Sequence, residues 1–241
     1  MRRLLVDTIG GEIVVLTGEQ HHRATRVLRL GRGDRLHLFD GRGHEYEAVI
    51  EATDAERTTL RLERRVEPVP EPAIGITLFQ SIPRGDAMER VIQKGVEIGV
   101  AEIVPLITRR TVARPRDEGA KLARWRKIAL HAVEQSGRTR LVPLGDPVSV
   151  DAIIERLASC DLALLPHHGA TAPLRAVLSR VERPHSPSVL VGPEGGFASD
   201  EVERLAAAGA HPVSLGPRVL RSETAGLIAA ALVLYHFGEL G

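Results

Sequence analysis

The chain contains no asparagine, a single cysteine (Cys160) and only 3% aromatic residues among its 241 positions. One cysteine excludes an intramolecular disulfide framework, and the shortage of aromatics leaves Val, Leu, Ile and Ala to build the core. No apolar run reaches the roughly 20 residues needed to span a bilayer; the longest, Ala225 to Val233, falls short. No N-terminal charged, apolar and small-residue pattern resembles a signal peptide. These absences predict a cytoplasmic protein with no membrane partner. With 43% hydrophobic residues the chain has the material for a substantial core.

Lysine is scarce as well, because arginine supplies 29 of the 32 basic residues. Guanidinium forks suit phosphate better than ammonium groups do. The formal net charge of +1 hides local asymmetry: Leu106 to Arg140 carries ten basic residues against three acidic, a net of +7, and Gln20 to Gly43 carries six against two, a net of +4. Both segments fit contact with a nucleic-acid backbone. Arg23, Arg26 and Arg29 are the candidate contacts in the N-terminal segment, and Arg109, Arg110, Arg124 and Arg126 in the other. The competing reading is a solvated face written by an arginine-biased composition.

Three prolines in Val66-Glu-Pro-Val-Pro-Glu-Pro72 predict a stiff extended linker, which divides the chain into domains at 1–70 and 73–241. Before it, Gly11-Glu-Ile-Val-Val-Leu, Asp34-Arg-Leu-His-Leu-Phe, His44-Glu-Tyr-Glu-Ala-Val-Ile and Thr58-Thr-Leu-Arg-Leu-Glu alternate at strand spacing, with Asp40-Gly41 as a turn. A small β-barrel is expected there, interrupted by one helix from about Glu19 to Leu30. After the linker, strands at Ile74 to Gln80, Ile103 to Leu106, Leu162 to Pro166, Val189 to Val191 and Val213 to Leu215 alternate with helices near Asp86 to Gly99, Lys121 to Ser136, Val150 to Ala158, Asp200 to Ala208 and Ser222 to His236. This alternation predicts an α/β domain with a parallel sheet. Asp200 with Glu203 reads as a capping pair, Gly209 as a C′ glycine and Ser222 as an N-cap.

Two stretches carry chemistry: Ser188-Val-Leu-Val-Gly-Pro-Glu-Gly-Gly-Phe197 and Leu215-Gly-Pro-Arg-Val-Leu-Arg-Ser-Glu-Thr-Ala-Gly226. Each reads as a strand ending in a tight loop that opens a helix, the arrangement that offers backbone N–H groups to a ligand. The dinucleotide pattern Gly-x-Gly-x-x-Gly is absent, and no Gly-Lys-Ser/Thr follows to make a phosphate loop. Free amides beside Glu194 and Glu223 favour a nucleoside bearing positive charge, and S-adenosylmethionine fits. The alternative is a plain β–α turn. His167 and His168 lack a third ligand with convincing spacing, so no metal is expected. His21 and His22 either contact RNA or cap a surface helix, and Cys160 reads as a small buried hydrophobe.

These residues closely resemble the C-terminal signature of the RsmE family, the 16S ribosomal RNA uridine-N3 methyltransferases of the SPOUT superfamily. His22 through Val27-Leu-Arg-Leu and Leu38-Phe-Asp-Gly41 look like the family's N-terminal PUA-like barrel. Met88 to Val100, Ile103-Val-Pro-Leu106 and Trp125 to Arg138 look like its central elements. The chain departs from the pattern with Ser222 where Thr is common, Arg84 in place of Lys and Ile98 in place of Leu. The resemblance implies a SPOUT-type α/β domain with a deep trefoil knot, a PUA-like β-barrel, a homodimer and 16S rRNA of the small ribosomal subunit as partner. It places S-adenosylmethionine against Leu165, Gly192, Pro193, Glu194, Gly195 and Gly196, then Leu215, Gly216, Leu220, Arg221, Ser222, Glu223, Thr224 and Ala225, mostly through main-chain atoms.

Methyl transfer is an in-line displacement, so the protein must align the nucleophile and remove the N3 proton of uracil. Arg221 is the candidate for stabilising charge on a uracil carbonyl, and Glu194 or Glu223 for taking the proton. Each has an alternative: Arg221 binds phosphate, Glu223 favours a helix N-terminus, Glu194 binds the cofactor ammonium. A ribose 2′-O-methyltransferase on tRNA or rRNA and a non-enzymatic ribosome-assembly factor are the competing functions.

Overall fold

The computed structural model describes residues 2–112 and 118–241. Arg114, Arg116 and Asp117 of the basic segment lie outside the described residues. The chain divides into two compact units, one of Met1–Glu71 with Val133–Leu141 and one of Pro72–Ala132 with Val142–Gly241.

In the first unit, strands β1 (Arg3–Leu5), β2 (Ile13–Thr17), β3 (Arg35–Phe39), β4 (Glu45–Thr53) and β5 (Arg57–Val66) form a five-stranded sheet in the order β1-β3-β4-β5-β2. The β1–β3 pair is parallel and the others antiparallel. Alternation does the sorting: in β2, Val14 and Leu16 are buried while Ile13, Val15 and Thr17 are exposed. The buried set meets Leu4, Leu36, Leu38, Ile50 and Leu60 in one core. Among the described residues no ladder joins β1 to β2, and the five strands make up the small β-barrel unit expected before the linker.

The single helix expected from Glu19 to Leu30 is two shorter pieces, α1 (Gly18–His22) and a π-helical turn over Arg23–Val27. The wider turn lets Ala24 and Leu30 both face the core while Val27 stays exposed. Arg29 then reverses the chain at φ +54°, the one positive-φ residue other than glycine among those described.

Segment Val133–Leu141 is held in this unit by a buried guanidinium. Arg3 grips Glu45 through Nε and Nη2 at 2.8 and 3.1 Å. It also donates to the carbonyls of Val133, Glu134 and Arg138 at 3.1, 3.1 and 3.0 Å. His37 Nδ1 lies 2.9 Å from the same Glu45. Arg138 pairs with Glu71, and Arg23 with Glu134 at 2.6 Å. Main-chain bonds Leu141 N–H to Gly41 O and Gly43 N–H to Thr139 O close the seam.

In the second unit the period changes. Strands β6 (Thr77–Ser81), β7 (Glu102–Ile107), β8 (Val148–Ser149), β9 (Ala163–Pro166), β10 (Ser188–Val191) and β11 (Ala210–Val213) make a parallel sheet in the order β11-β9-β10-β6-β7-β8. All four residues of β10 are buried, as a central parallel strand requires. The helices are α2 (Ala87–Ile98), α3 (Glu118–Ser136, of which Val133–Ser136 belongs to the first unit), α4 (Val150–Leu157), α5 (Leu174–Leu178), α6 (Ser199–Ala207) and α7 (Ser222–His236). Phe79 joins Ile153, Leu157 and Leu205 in the core under α4 and α6. Its neighbours Leu78 and Gln80 face α7 instead, where a Cβ on Gly226 would stand 3.0 Å from each. The short α5 was not expected, and β11 ends at Val213 where a strand from Val213 to Leu215 was foreseen. Among the described residues no helix is long and apolar enough to cross a membrane.

Two caps differ from expectation. Ala198, not Asp200, precedes α6, and its N–H is taken by Glu201 Oε2 at 2.8 Å. Arg221 is the N-cap of α7, because the Ser222 hydroxyl is committed across the unit to Gly192 O at 2.6 Å.

Burial raises the Glu45 carboxyl, but the hydrogen bonds and charges of Arg3 and His37 outweigh it and hold the group below its ordinary 4.5. A depressed carboxylate stabilises the fold above its unfolded pKa, and that stability is lost as pH falls through the folded value. Glu45→Ala should therefore cost about 3 kcal/mol at neutral pH by urea denaturation. The gap from the native chain should narrow below about pH 4.5; a constant gap would show that another carboxylate governs the acid limb.

Candidate active site

The carboxyl ends of β6, β9, β10 and β11 surround a cavity of about 530 Å³ within the second unit. This is where open parallel sheets bind ligands, and β10 beside β6 is the point where strand order reverses.

Three local features build the walls. After β10 the chain folds back so tightly that a Cβ on Gly192 would meet Phe197 Cδ2 at 2.9 Å and Phe197 N at 3.0 Å. A turn closed by Gly196 N–H to Pro193 O follows, with Gly196 at φ +68°. Glu194 Oε1 accepts the Arg84 N–H at 2.9 Å, which ties this loop to the segment after β6. Opposite it, Ser222 opens α7 with a hydroxyl that donates to Gly192 O and accepts from Gln80 Nε2 at 2.9 Å. Gln80 is fully buried, and its Oε1 has no partner. A buried amide network of this kind fixes both loops relative to β6.

Of the residues expected at a cofactor, Gly192, Pro193, Glu194, Gly196, Leu215, Gly216, Leu220, Arg221, Ser222, Glu223 and Ala225 line the cavity. Leu165, Gly195 and Thr224 are outside its lining. Leu165 points into the core beside Phe79 and Leu190, and the Gly195 carbonyl is turned away to accept Arg110 Nη1 at 2.7 Å. Arg221 is 87% exposed at its side chain and lies 3.9 Å from the mostly buried Glu223.

The arginines expected at RNA are mostly engaged. Arg109 clasps Asp200 at 2.8 and 2.6 Å, Arg124 reaches Glu89 and Arg126 reaches Asp146. With Arg110 on Gly195, the stretch after β7 fastens α6 and the glycine loop. Arg23 is taken by Glu134. Arg26 and Arg29 have no ion pair among the described residues, so they remain available for phosphate.

Sequence alone gives Arg84, Arg90, His167, His168 and Arg218 no role at a cofactor, yet all five line the cavity. Their signal was position: Arg84 follows β6 and the histidines follow β9, at strand carboxyl ends. His21 Nδ1 lies 2.9 Å from Thr58 Oγ1, and Cys160 is half-buried with its Sγ near the Leu162 and Ser186 carbonyls. Among the described residues no three His, Cys, Asp or Glu side chains converge to hold a metal ion.

A cleft at the carboxyl ends of a parallel sheet, walled by two glycine-containing loops, coincides with family matches on both units. Residues 70–234 match the RNA methyltransferase domain, and residues 16–63 match the RNA methyltransferase PUA domain. The chain is thus an RNA methyltransferase by class. It is 36% identical to the ribosomal RNA small subunit methyltransferase E of Synechocystis sp., over 91% of this chain and 72% of that one. The Mycobacterium tuberculosis relative of the same description is 34% identical over 95% and 89%. The crystal structure of a ribosomal RNA small subunit methyltransferase E from Neisseria gonorrhoeae, bound to S-adenosyl methionine, superposes with a TM-score of 0.87. It is 30% identical and covers 98% of this chain and 97% of its own. The chain belongs to the ribosomal RNA small subunit methyltransferase E family.

Ser222→Ala should cost about 1 to 3 kcal/mol in urea denaturation, because it removes one of the two acceptors of the buried Gln80 Nε2, the other being Ser81 O at 3.1 Å. A loss below about 0.5 kcal/mol would show that Gln80 finds another acceptor and that the loops do not depend on this bond.

Proposed function

We propose that this protein transfers the methyl group of S-adenosylmethionine to N3 of a uridine in 16S ribosomal RNA of the small subunit. The observation that carries the reading is the pairing of two carboxylates with glycine-loop backbone in one nucleoside-sized cleft, in a chain of this family.

The residues fit such a cofactor. Glu194 and Glu223 face the cleft from opposite loops and suit a cationic ligand. Gly216, at φ +113°, has no atom within 4 Å of the place its Cβ would take. Of the first-turn N–H groups of α7, those of Thr224 and Ala225 bond to Arg221 O at 2.9 Å each; those of Ser222 and Glu223 have no intrahelical acceptor and suit ligand oxygens or ring nitrogens. S-adenosylmethionine supplies, when bound, a methyl group activated by a cationic sulfur.

The chain's own groups do the rest. Leu215, Gly216 and the Gly192 to Gly196 loop hold the nucleoside. Arg221, standing in solvent at the cleft lip, meets the uracil carbonyl on which charge grows as N3 loses its proton. Glu194 has one oxygen engaged by the Arg84 N–H, which suits a positioning role. Glu223 has its one ion pair among the described residues with Arg221, at 3.9 Å, and is the better acceptor for the N3 proton.

We infer a homodimer from α7, whose outer face exposes Ile228, Leu232 and Tyr235 in one stripe at 41, 42 and 68%. A trefoil knot is inferred as well, supported by the insertion of β10 between β6 and β9. The substrate argues for a cytoplasmic location.

Incubation with labelled S-adenosylmethionine and unmodified small subunits should yield 3-methyluridine on nucleoside digestion. A ribose-methylated product, or none on competent subunits, overturns the reading. Arg221→Ala should lower kcat by about 100- to 1,000-fold with little change in cofactor affinity; loss of affinity alone would make Arg221 a binding residue. For RNA binding, Arg26→Ala with Arg29→Ala should reduce the salt slope by about 0.7 to 0.9 log units per contact. Arg109→Ala should leave it nearly unchanged, and the reverse pattern would move the RNA path to the other segment.

A further inference from the structure

His167 and His168 follow β9 directly and face the cleft, yet the methyl-transfer scheme does not use them. Their rings lie 4.6 Å apart between centroids, tilted by 37°. A backbone N–H only donates. The Gly169 N–H, 3.1 Å from His167 Nδ1, therefore makes that nitrogen an acceptor and leaves the proton of the neutral ring on Nε2. Gly169 reaches this position by close approach, since a Cβ there would stand 3.0 Å from His167 Cε1. Adding a proton to His167 at Nδ1 would break that contact. Burial, and then the neighbouring His168, also hold the His167 imidazole below its ordinary value.

The pair borders the glycine loop, with His168 Cε1 3.9 Å from the place a Gly196 Cβ would take. The charged groups facing the same cleft are Arg84 and Arg90 beside β6 and α2, Glu194 after β10, and Arg218, Arg221 and Glu223 around the start of α7. Of these side-chain types and histidine, histidine alone ordinarily changes charge between about pH 5 and 8.

We infer that the His167–His168 pair sets the preference of this site for the cationic cofactor over its product. The inference rests on the S-adenosylmethionine reading. Transfer of the methyl group breaks the carbon–sulfur bond, and its electron pair stays on sulfur, so the sulfonium becomes the neutral thioether of S-adenosylhomocysteine. The two compounds share their nucleoside, carboxylate and amine and differ by one charge at sulfur. A neutral histidine pair tolerates the sulfonium, whereas a pair carrying one proton repels it and leaves the thioether nearly unaffected. At neutral pH the site therefore reloads with cofactor, and on mild acidification it retains product.

Calorimetric binding of both compounds to the full chain, from about pH 8 to 5, tests this. The affinity ratio of S-adenosylmethionine to S-adenosylhomocysteine should fall about tenfold toward the acid end. In a chain carrying His167→Gln and His168→Gln the ratio should stay flat, with retained S-adenosylhomocysteine binding as the check on folding. If the native chain binds both compounds and the ratio is constant, the inference is overturned and the cofactor reading stands. An equal fall in the double variant assigns the effect to other groups and overturns it too. If neither compound binds at any pH, the cofactor reading itself fails and takes the inference with it. Where the double variant does not fold, the single variants His167→Gln and His168→Gln are read in the same way: a fall as steep as the native one in both overturns the inference.

Discussion

The cleft depends on how closely α7 lies against β6 and β10. At Gly226 the approach is so tight that a methyl group would meet Gln80 Oε1, Leu78 and Val191 Cγ2, each at 3.0 Å. That separation lets a short serine side chain bridge from α7 to the Gly192 carbonyl while the Gln80 amide reaches it from the other side. The two loops are thereby referred to one strand, and Glu194 extends the same frame to the segment after β6. A cleft assembled from main chain in this way owes its shape to backbone positions. Side chains at its rim are left free for chemistry.

Charge follows a similar division of labour. The arginine-rich composition suggested two broad surfaces for phosphate, but many guanidiniums are tethered. Arg109 and Arg110 bind α6 and the glycine loop, Arg3 sits inside the first unit, and Arg23 and Arg138 flank it. Counting charges along the chain cannot separate an arginine that braces a fold from one that meets a ligand, because the carboxylates concerned lie up to 111 positions away. At the cleft the separation is sharper: Arg221 has a carboxylate only at 3.9 Å, and it stands in solvent.

What was legible in the sequence was what local physics decides. β10 announced itself as an apolar run closed by Gly-Pro, α7 as a long apolar helix following a tight loop, and the parallel sheet through the strand–helix alternation. Much of the cavity lining was equally readable, because it is main chain in glycine-containing motifs. The rest needed contacts distant in sequence. Ser222 looked like an N-cap until Gly192 claimed its hydroxyl. The π-helical turn at Arg23–Val27 answers to the core positions of Ala24 and Leu30, which a periodicity count over ten residues blurs. His167 and His168 were weighed only as metal ligands, and their place in the cleft follows from where β9 ends.

The return of Val133–Leu141 to the first unit bears on how such a protein is inherited and rearranged. The proline-rich stretch looks like a seam at which one module could be exchanged for another. A cut there, however, would leave Arg3 facing none of the carbonyls of Val133, Glu134 and Arg138 and deprive Glu71 of Arg138. The N-terminal module is a discontinuous object, completed by a stretch encoded some sixty codons downstream of the linker. Shuffling by simple fusion would therefore deliver an incomplete fold, which favours descent of the two units together as one gene.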